Sequence, residues 1–237
     1  MKRKGFSAIE ISLSLALFLI ILLAAFEFLG ITRDFFFKLK NAQEETQAAM
    51  AALDKMKVDL LRAGAGLLRP VRWGEVEGIA IIDDALVISR SEKSYALLQD
   101  LSPGENRVVL ETAAGLSSGK EVCVFDDEKA EVKAISLVEG KTIFLTSALE
   151  ASYLSSESQI ALVEKTSLFL DEKNSCIRRK VNASSPQPLL DNVLSFEFAY
   201  EKEGNLARLS FILKDNQEKK YELFVYPKNM ALGLKTS

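Results

Sequence analysis

Histidine is missing from all 237 residues. That absence removes the Ser-His-Asp and Cys-His nucleophile systems and the usual zinc sets, because each needs an imidazole to carry a proton or hold a metal. Cysteine is nearly as scarce. Cys123 and Cys176 lie far apart, with no CxxC spacing to suggest a metal knuckle or redox pair. They are one potential disulfide or two ordinary buried thiols, and both readings stay open, since a bond needs alpha carbons about 4.4–6.8 Å apart. No nucleophile elbow, metal triad or dinucleotide fingerprint occurs. The Gly64-Ala65-Gly66 run is not a phosphate loop, because no Lys-Ser/Thr follows it. The net charge is only -3, and no basic stripe is interleaved with aromatics, so no direct nucleic-acid contact is expected. No enzymatic activity, metal or cofactor is expected either.

What is present is concentrated at the start. Lys2, Arg3 and Lys4 precede Gly5-Phe6-Ser7-Ala8-Ile9-Glu10, and residues 11–26 then carry no charge. A span over residues 6–29 is long enough to cross about 30 Å of hydrocarbon at 1.5 Å per residue. Within it, the Glu10 carboxylate costs a few kcal/mol unless a positive group meets it at the same depth. Cleavage between Gly5 and Phe6 would supply one, as the new amino group of Phe6. Bases gather before the span, while the first base after it, Arg33, is followed at once by Asp34, so the amino end is placed in the cytoplasm and the rest outside. Two plainer readings compete. A secretory signal peptide could be cut near Ala24-Ala25, though Glu10 would interrupt its core; an uncut single-span anchor leaves Glu10 unexplained.

The Gly5 to Glu10 run resembles the prepilin peptidase site of type IV pilins and of the pseudopilins of type II secretion. The resemblance implies cleavage after Gly5 by prepilin peptidase, N-methylation of Phe6, and pairing of Glu10 with the amino terminus of a neighbouring subunit. It also implies a single-pass protein of the bacterial cytoplasmic membrane that later leaves the bilayer for a pilus or pseudopilus, with other pilin subunits and the inner-membrane assembly platform as partners. Major pilins of the family often carry a proline partway along the span, where this chain reads Ala24-Ala25-Phe26-Glu27.

Beyond the span, Leu39, Ala42, Thr46, Ala49, Leu53, Met56, Leu60 and Ala63 recur at steps of three and four, with charges mostly opposite. The spacing predicts that the helix continues over residues 30–63, about 85 Å in all from residue 6. Gly64 and Gly66 end the pattern, and Pro70 is expected to bar helix soon after. From residue 77 the text turns to short β-rich runs: 78–82, 86–89, 107–111, 121–125, 132–138, 142–146 and 160–170. Asp83-Asp84, Glu139-Gly140 and Glu172-Lys173-Asn174 read as turns. Alternating Leu194, Phe196, Phe198 and Tyr200 face Leu209, Phe211 and Leu213 across Lys202-Glu203-Gly204-Asn205 as a hairpin, and a run over 221–226 closes the domain.

The expected architecture is α+β: a leader over 1–5, a long helix over 6–63, and an antiparallel β-rich, extracytoplasmic domain of about ten strands over 64–237. Asp126-Asp127-Glu128 is the densest acid cluster and reads as a solvated hairpin turn, because it lacks the alternating oxygen ligands of a calcium loop. Lone aromatics such as Trp73 and Tyr95 read as packing residues. The runs Lys165 to Leu170, Cys176-Ile177-Arg178-Arg179 and Pro188 to Val193 resemble PilW-type minor pilins. The J-type minor pseudopilin of type II secretion has a similar size and order. The expectation is a structural subunit of a filament, with a non-polymerising, membrane-anchored binding module as the rival class.

Overall fold

The computed structural model describes residues 8–233. Their contacts divide the chain into two compact units, 1–50 and 51–237. One helix, α1 (Ala8–Leu61), runs unbroken through the Ala24-Ala25-Phe26-Glu27 stretch. Its sequence explains the continuity: it holds no proline and one glycine, Gly30, among Leu, Ala and Phe. Hydroxyls along it are turned back onto the backbone, with Ser12 donating to the Ala8 carbonyl at 2.9 Å and Thr32 to that of Phe28 at 2.8 Å.

The first unit is helical throughout its described residues, so its side chains have no second element of that unit to pack on. Leu39 and Ala42, which the stripe assigns to a packed face, are accordingly exposed. In the second unit the same stripe holds: Leu53, Met56, Leu60 and Ala63 are buried.

Among the described residues the second unit carries twelve strands, all antiparallel, and two short helices. A hairpin of β1 (Ile79–Ile82) and β2 (Ala85–Ala96) turns on Asp83 and Asp84, both at positive φ (48° and 57°), as a two-residue turn matched to strand twist requires. β2 pairs with residues 159–168 along one edge of the central strand β7 (Gln159–Asp171). Two strands share the other edge: β4 (Glu121–Phe125) and β8 (Cys176–Val181). From β4 the sheet continues through β5 (Ala130–Glu139) and β6 (Thr142–Leu145) to β3 (Arg107–Val109), and from β8 to β9 (Gln187–Leu190). A separate meander of β10 (Val193–Glu201), β11 (Leu206–Leu213) and β12 (Asn216–Val225) buries Leu209, Phe211 and Tyr221 on one face.

Two packed faces follow from the pleat. One core gathers Tyr95, Val122, Val124, Ile143, Tyr153 and Ile160 on one face of the β4–β7 pair. Cys123, Ala161 and Val163 point to the opposite face, where Leu67 and Val71 meet them. The end of α1 is fixed by Asp59, which accepts from Arg179 of β8 at 2.7 and 3.1 Å in a two-point pair. Past it, Gly64 and Ala65 bond along β2: the Gly64 N–H donates to the Ser89 carbonyl at 2.8 Å and the Ser91 N–H to the Ala65 carbonyl at 2.8 Å. Gly66 must be glycine there, since its φ is +70° and a Cβ would come within 2.6 Å of the Ser91 Cβ.

Three expectations are corrected. Pro70 does not bar helix but lies inside α2 (Leu68–Trp73), at a first-turn position whose N–H needs no intrahelical partner. β12 is longer than the run read for it, and β9 is an additional strand not among the runs read; its Pro188 is tolerated on an edge. A last helix, α3 (Lys228–Gly233), follows the run that was expected to close the domain, and its Asn229 amide donates to the Leu61 carbonyl at the end of α1 at 3.3 Å.

Candidate functional site

Of the residues assigned to processing, Lys2, Arg3, Lys4, Gly5 and Phe6 lie outside the described residues. Glu10 stands in the first turn of α1 and is exposed. Around it the helix turns apolar side chains outward on every side, with Ile9, Phe18 and Leu23 at 79, 58 and 68% exposure. This is a helix long and apolar enough to cross a membrane. All its backbone groups beyond the ends are paired internally, the condition for a span in hydrocarbon. The charges resume at Glu27, then at Arg33, whose guanidinium lies 3.9 Å from Asp34, and at Lys40, 3.7 Å from Glu44 one turn on.

Cys123 and Cys176 are both buried free thiols. Their strands share one edge of β7, but Cys123 stands opposite Ala161 and Cys176 opposite Asp171. Ten register positions at about 3.3 Å per residue put them roughly 33 Å apart, which excludes the disulfide. Burial, with the nearby charges of Glu75 and Glu131, pushes the Cys123 thiol up to about 12, so it stays protonated and unreactive. Burial raises Cys176 as well.

The acid cluster is committed to its turn. The Asp126 carboxylate accepts from the N–H groups of Glu128 at 2.7 Å and Lys129 at 2.9 Å, and Asp127 pairs with Arg69 at 2.5 Å. Among the described residues no group of three metal-ligating side chains gathers. Tyr95 is buried, its hydroxyl donating to the Ala114 carbonyl at 3.0 Å.

A polar knot that the sequence did not reveal lies elsewhere. The Glu131 carboxylate accepts from the N–H of Glu150 at 2.9 Å, the N–H of Ala151 at 2.9 Å and the Tyr153 hydroxyl at 3.1 Å, and Lys133 adds its ammonium at 3.2 Å. Burial alone would raise the Glu131 carboxyl, yet these donors hold it below the usual carboxylate range. Burial and the Glu131 charge raise Tyr153, so its phenol remains a donor. Three of the partners lie 19–22 residues away in sequence, so no local pattern marks the knot. It ties a loop to the sheet and places no nucleophile beside a base.

No protein-family profile and no curated protein matches this chain. Solved structures offer a partial likeness to phage tailspikes. The tailspike of Pseudomonas phage phi297 shares 18% identity over 31% of this chain and 14% of its own, with a TM-score of 0.27. That of Acinetobacter baumannii bacteriophage AP22 shares 16% over 32% of this chain and 15% of its own, at 0.30. That of Pseudomonas phage LKA1 shares 20% over 30% and 14%, at 0.26. The matched part thus spans about one seventh of each tailspike's length, and similarity at this level fixes neither fold nor function.

Proposed function

We propose that the chain is a minor pilin or pseudopilin, most similar to the PilW type, and acts as a structural subunit of a type IV pilus-like filament. The observation that carries this reading is the Gly5-Phe6-Ser7-Ala8-Ile9-Glu10 run leading into a helix whose apolar side chains over residues 9–39 are exposed. Support also comes from the order of parts, one apolar helix followed by an antiparallel β domain.

In this reading the helix first crosses the cytoplasmic membrane with its basic end inside. Prepilin peptidase cuts after Gly5, and methylation of Phe6 leaves a charged secondary amine. The outward apolar side chains then exchange lipid for neighbouring helices, gaining contact and van der Waals packing. A neighbour's ammonium at the depth of Glu10 stabilises that carboxylate in the assembled filament, where water is excluded. The β domain stays outside and meets the other subunits. The action is assembly and not turnover.

A Glu10→Ala chain tests the mechanism. It should insert into the membrane as the parent does but be lost from sheared or cross-linked filament fractions. Normal incorporation of the alanine chain would show that charge pairing does not drive its assembly.

A further inference from the structure

Two strands set end to end along one edge of a third leave a notch where they part. β4 pairs with β7 at residues 159–162 and β8 pairs with it at 166–171. A crevice of about 750 Å³ opens at this fork, within the range of about 300–1,000 Å³ typical of ligand pockets. Its floor is a row set by register: Val87 of β2 opposite Ser167 of β7, and Ser167 opposite Lys180 of β8, so all three share one face. Val163, on the same face of β7 as Ser167, extends the apolar part, and Ser117, Ser118 and Lys120 also line the crevice.

The charges in this crevice are unbalanced. Lys120, Lys165 and Lys180 line it against one acid, Glu121. Glu121 is already neutralised by Lys165 at 2.5 Å, and the Lys120 ammonium is held by the Gly115 carbonyl at 2.7 Å. Lys180 is half-buried and enters none of the ion pairs formed among the described residues. A half-buried ammonium beside apolar floor favours a carboxylate more strongly than an ammonium in open water does. The lining holds no aromatic ring, so neither a sugar face nor a nucleobase finds a surface to stack on. Short hydroxyls, valines and a cation instead match a peptide in which acids alternate with small apolar side chains.

We infer that the fork between β4 and β8 receives an extended acidic segment of a partner protein, with a Glu or Asp directed to Lys180. This goes beyond the filament assignment and does not rest on it. Failure of the peptide experiment leaves that assignment untouched.

The test uses the full chain in lipid nanodiscs and fluorescein-labelled Glu-Val-Glu-Val-Glu, read by anisotropy, with Lys-Val-Lys-Val-Lys, maltopentaose and a dT pentanucleotide as comparisons. The acidic peptide should bind saturably and in preference to the other three. Lys180→Glu should weaken it by roughly tenfold and added salt should weaken it further, while Lys173→Glu, an exposed turn residue outside the crevice, should change it less than twofold. Lys180→Gln, which removes the charge and keeps a polar side chain, should fall between parent and Lys180→Glu. Equal binding of acidic and basic peptides, preference for the sugar or the oligonucleotide, or equal losses in Lys173→Glu and Lys180→Glu would overturn the inference.

Discussion

Removing Arg179 should loosen the end of α1 from the sheet more than any surface change. Asp59 is 7% exposed and the Arg179 side chain 21%, and the two make a two-point pair. Breaking a buried pair by deleting one partner costs about 3–5 kcal/mol, because the other charge is left desolvated. Two features lower that figure here: the partial exposure of Arg179, and Lys55, whose ammonium at 3.9 Å stays with Asp59. Arg179→Ala should therefore destabilise the domain by about 2–3 kcal/mol. Trp73, the sole tryptophan, lies on α2 in the same unit and reports unfolding by fluorescence. With a urea slope of about 2 kcal/mol/M, the midpoint should fall by about 1–1.5 M. The paired replacement Asp59→Leu with Arg179→Met should recover most of the loss, since apolar groups of similar size can stand in for a buried pair. A shift under about 0.5 kcal/mol for Arg179→Ala, or a double variant as unstable as the two single changes together, would refute the reasoning.

Glu131 gives a pH dependence of known sign. Its folded carboxyl titrates below the ordinary value, so its stabilisation is fully present above about pH 4.3 and is lost as pH falls through the folded value. Amide protection at Glu150 and Ala151, measured against the intrinsic exchange rate at each pH, should fall in acid, and Glu131→Gln should flatten that dependence; unchanged protection down to pH 2.5 would count against the knot. Two glycines at left-handed φ should separate by their surroundings: Gly74→Ala, with open space, should cost about 1 kcal/mol, and Gly66→Ala, against Ser91, about 2–4 kcal/mol, both read from urea midpoints. Maleimide labelling should find Cys123 and Cys176 unreactive in the folded chain and both reactive in urea without reductant; a chain that needs reductant first would restore the disulfide.

Local chemistry carried most of the secondary structure. The Asp83-Asp84 turn, the Gly64 and Gly66 stop and the hairpin around Lys202 to Asn205 are legible because each depends on a few adjacent residues. β8 was hard to read because Arg178, Arg179 and Lys180 look like a solvated charge run, and only the fold reveals Asp171 and Asp59 as partners of the first two. α2 was hidden because the weight of Pro70 depends on where the helix starts. The fork on β7, the separation of the two cysteines and the Glu131 knot are matters of long-range register, which no local spacing encodes. The start of α1 is the reverse case, since residues 5–10 state their chemistry in sequence before any fold exists.

The mass of the mature amino terminus, taken on chain purified from native membranes, bears most directly on that chemistry. The filament account predicts a chain beginning at Phe6 with one added methyl group. A chain that still begins at Met1, or one that begins near Phe26, would contradict it.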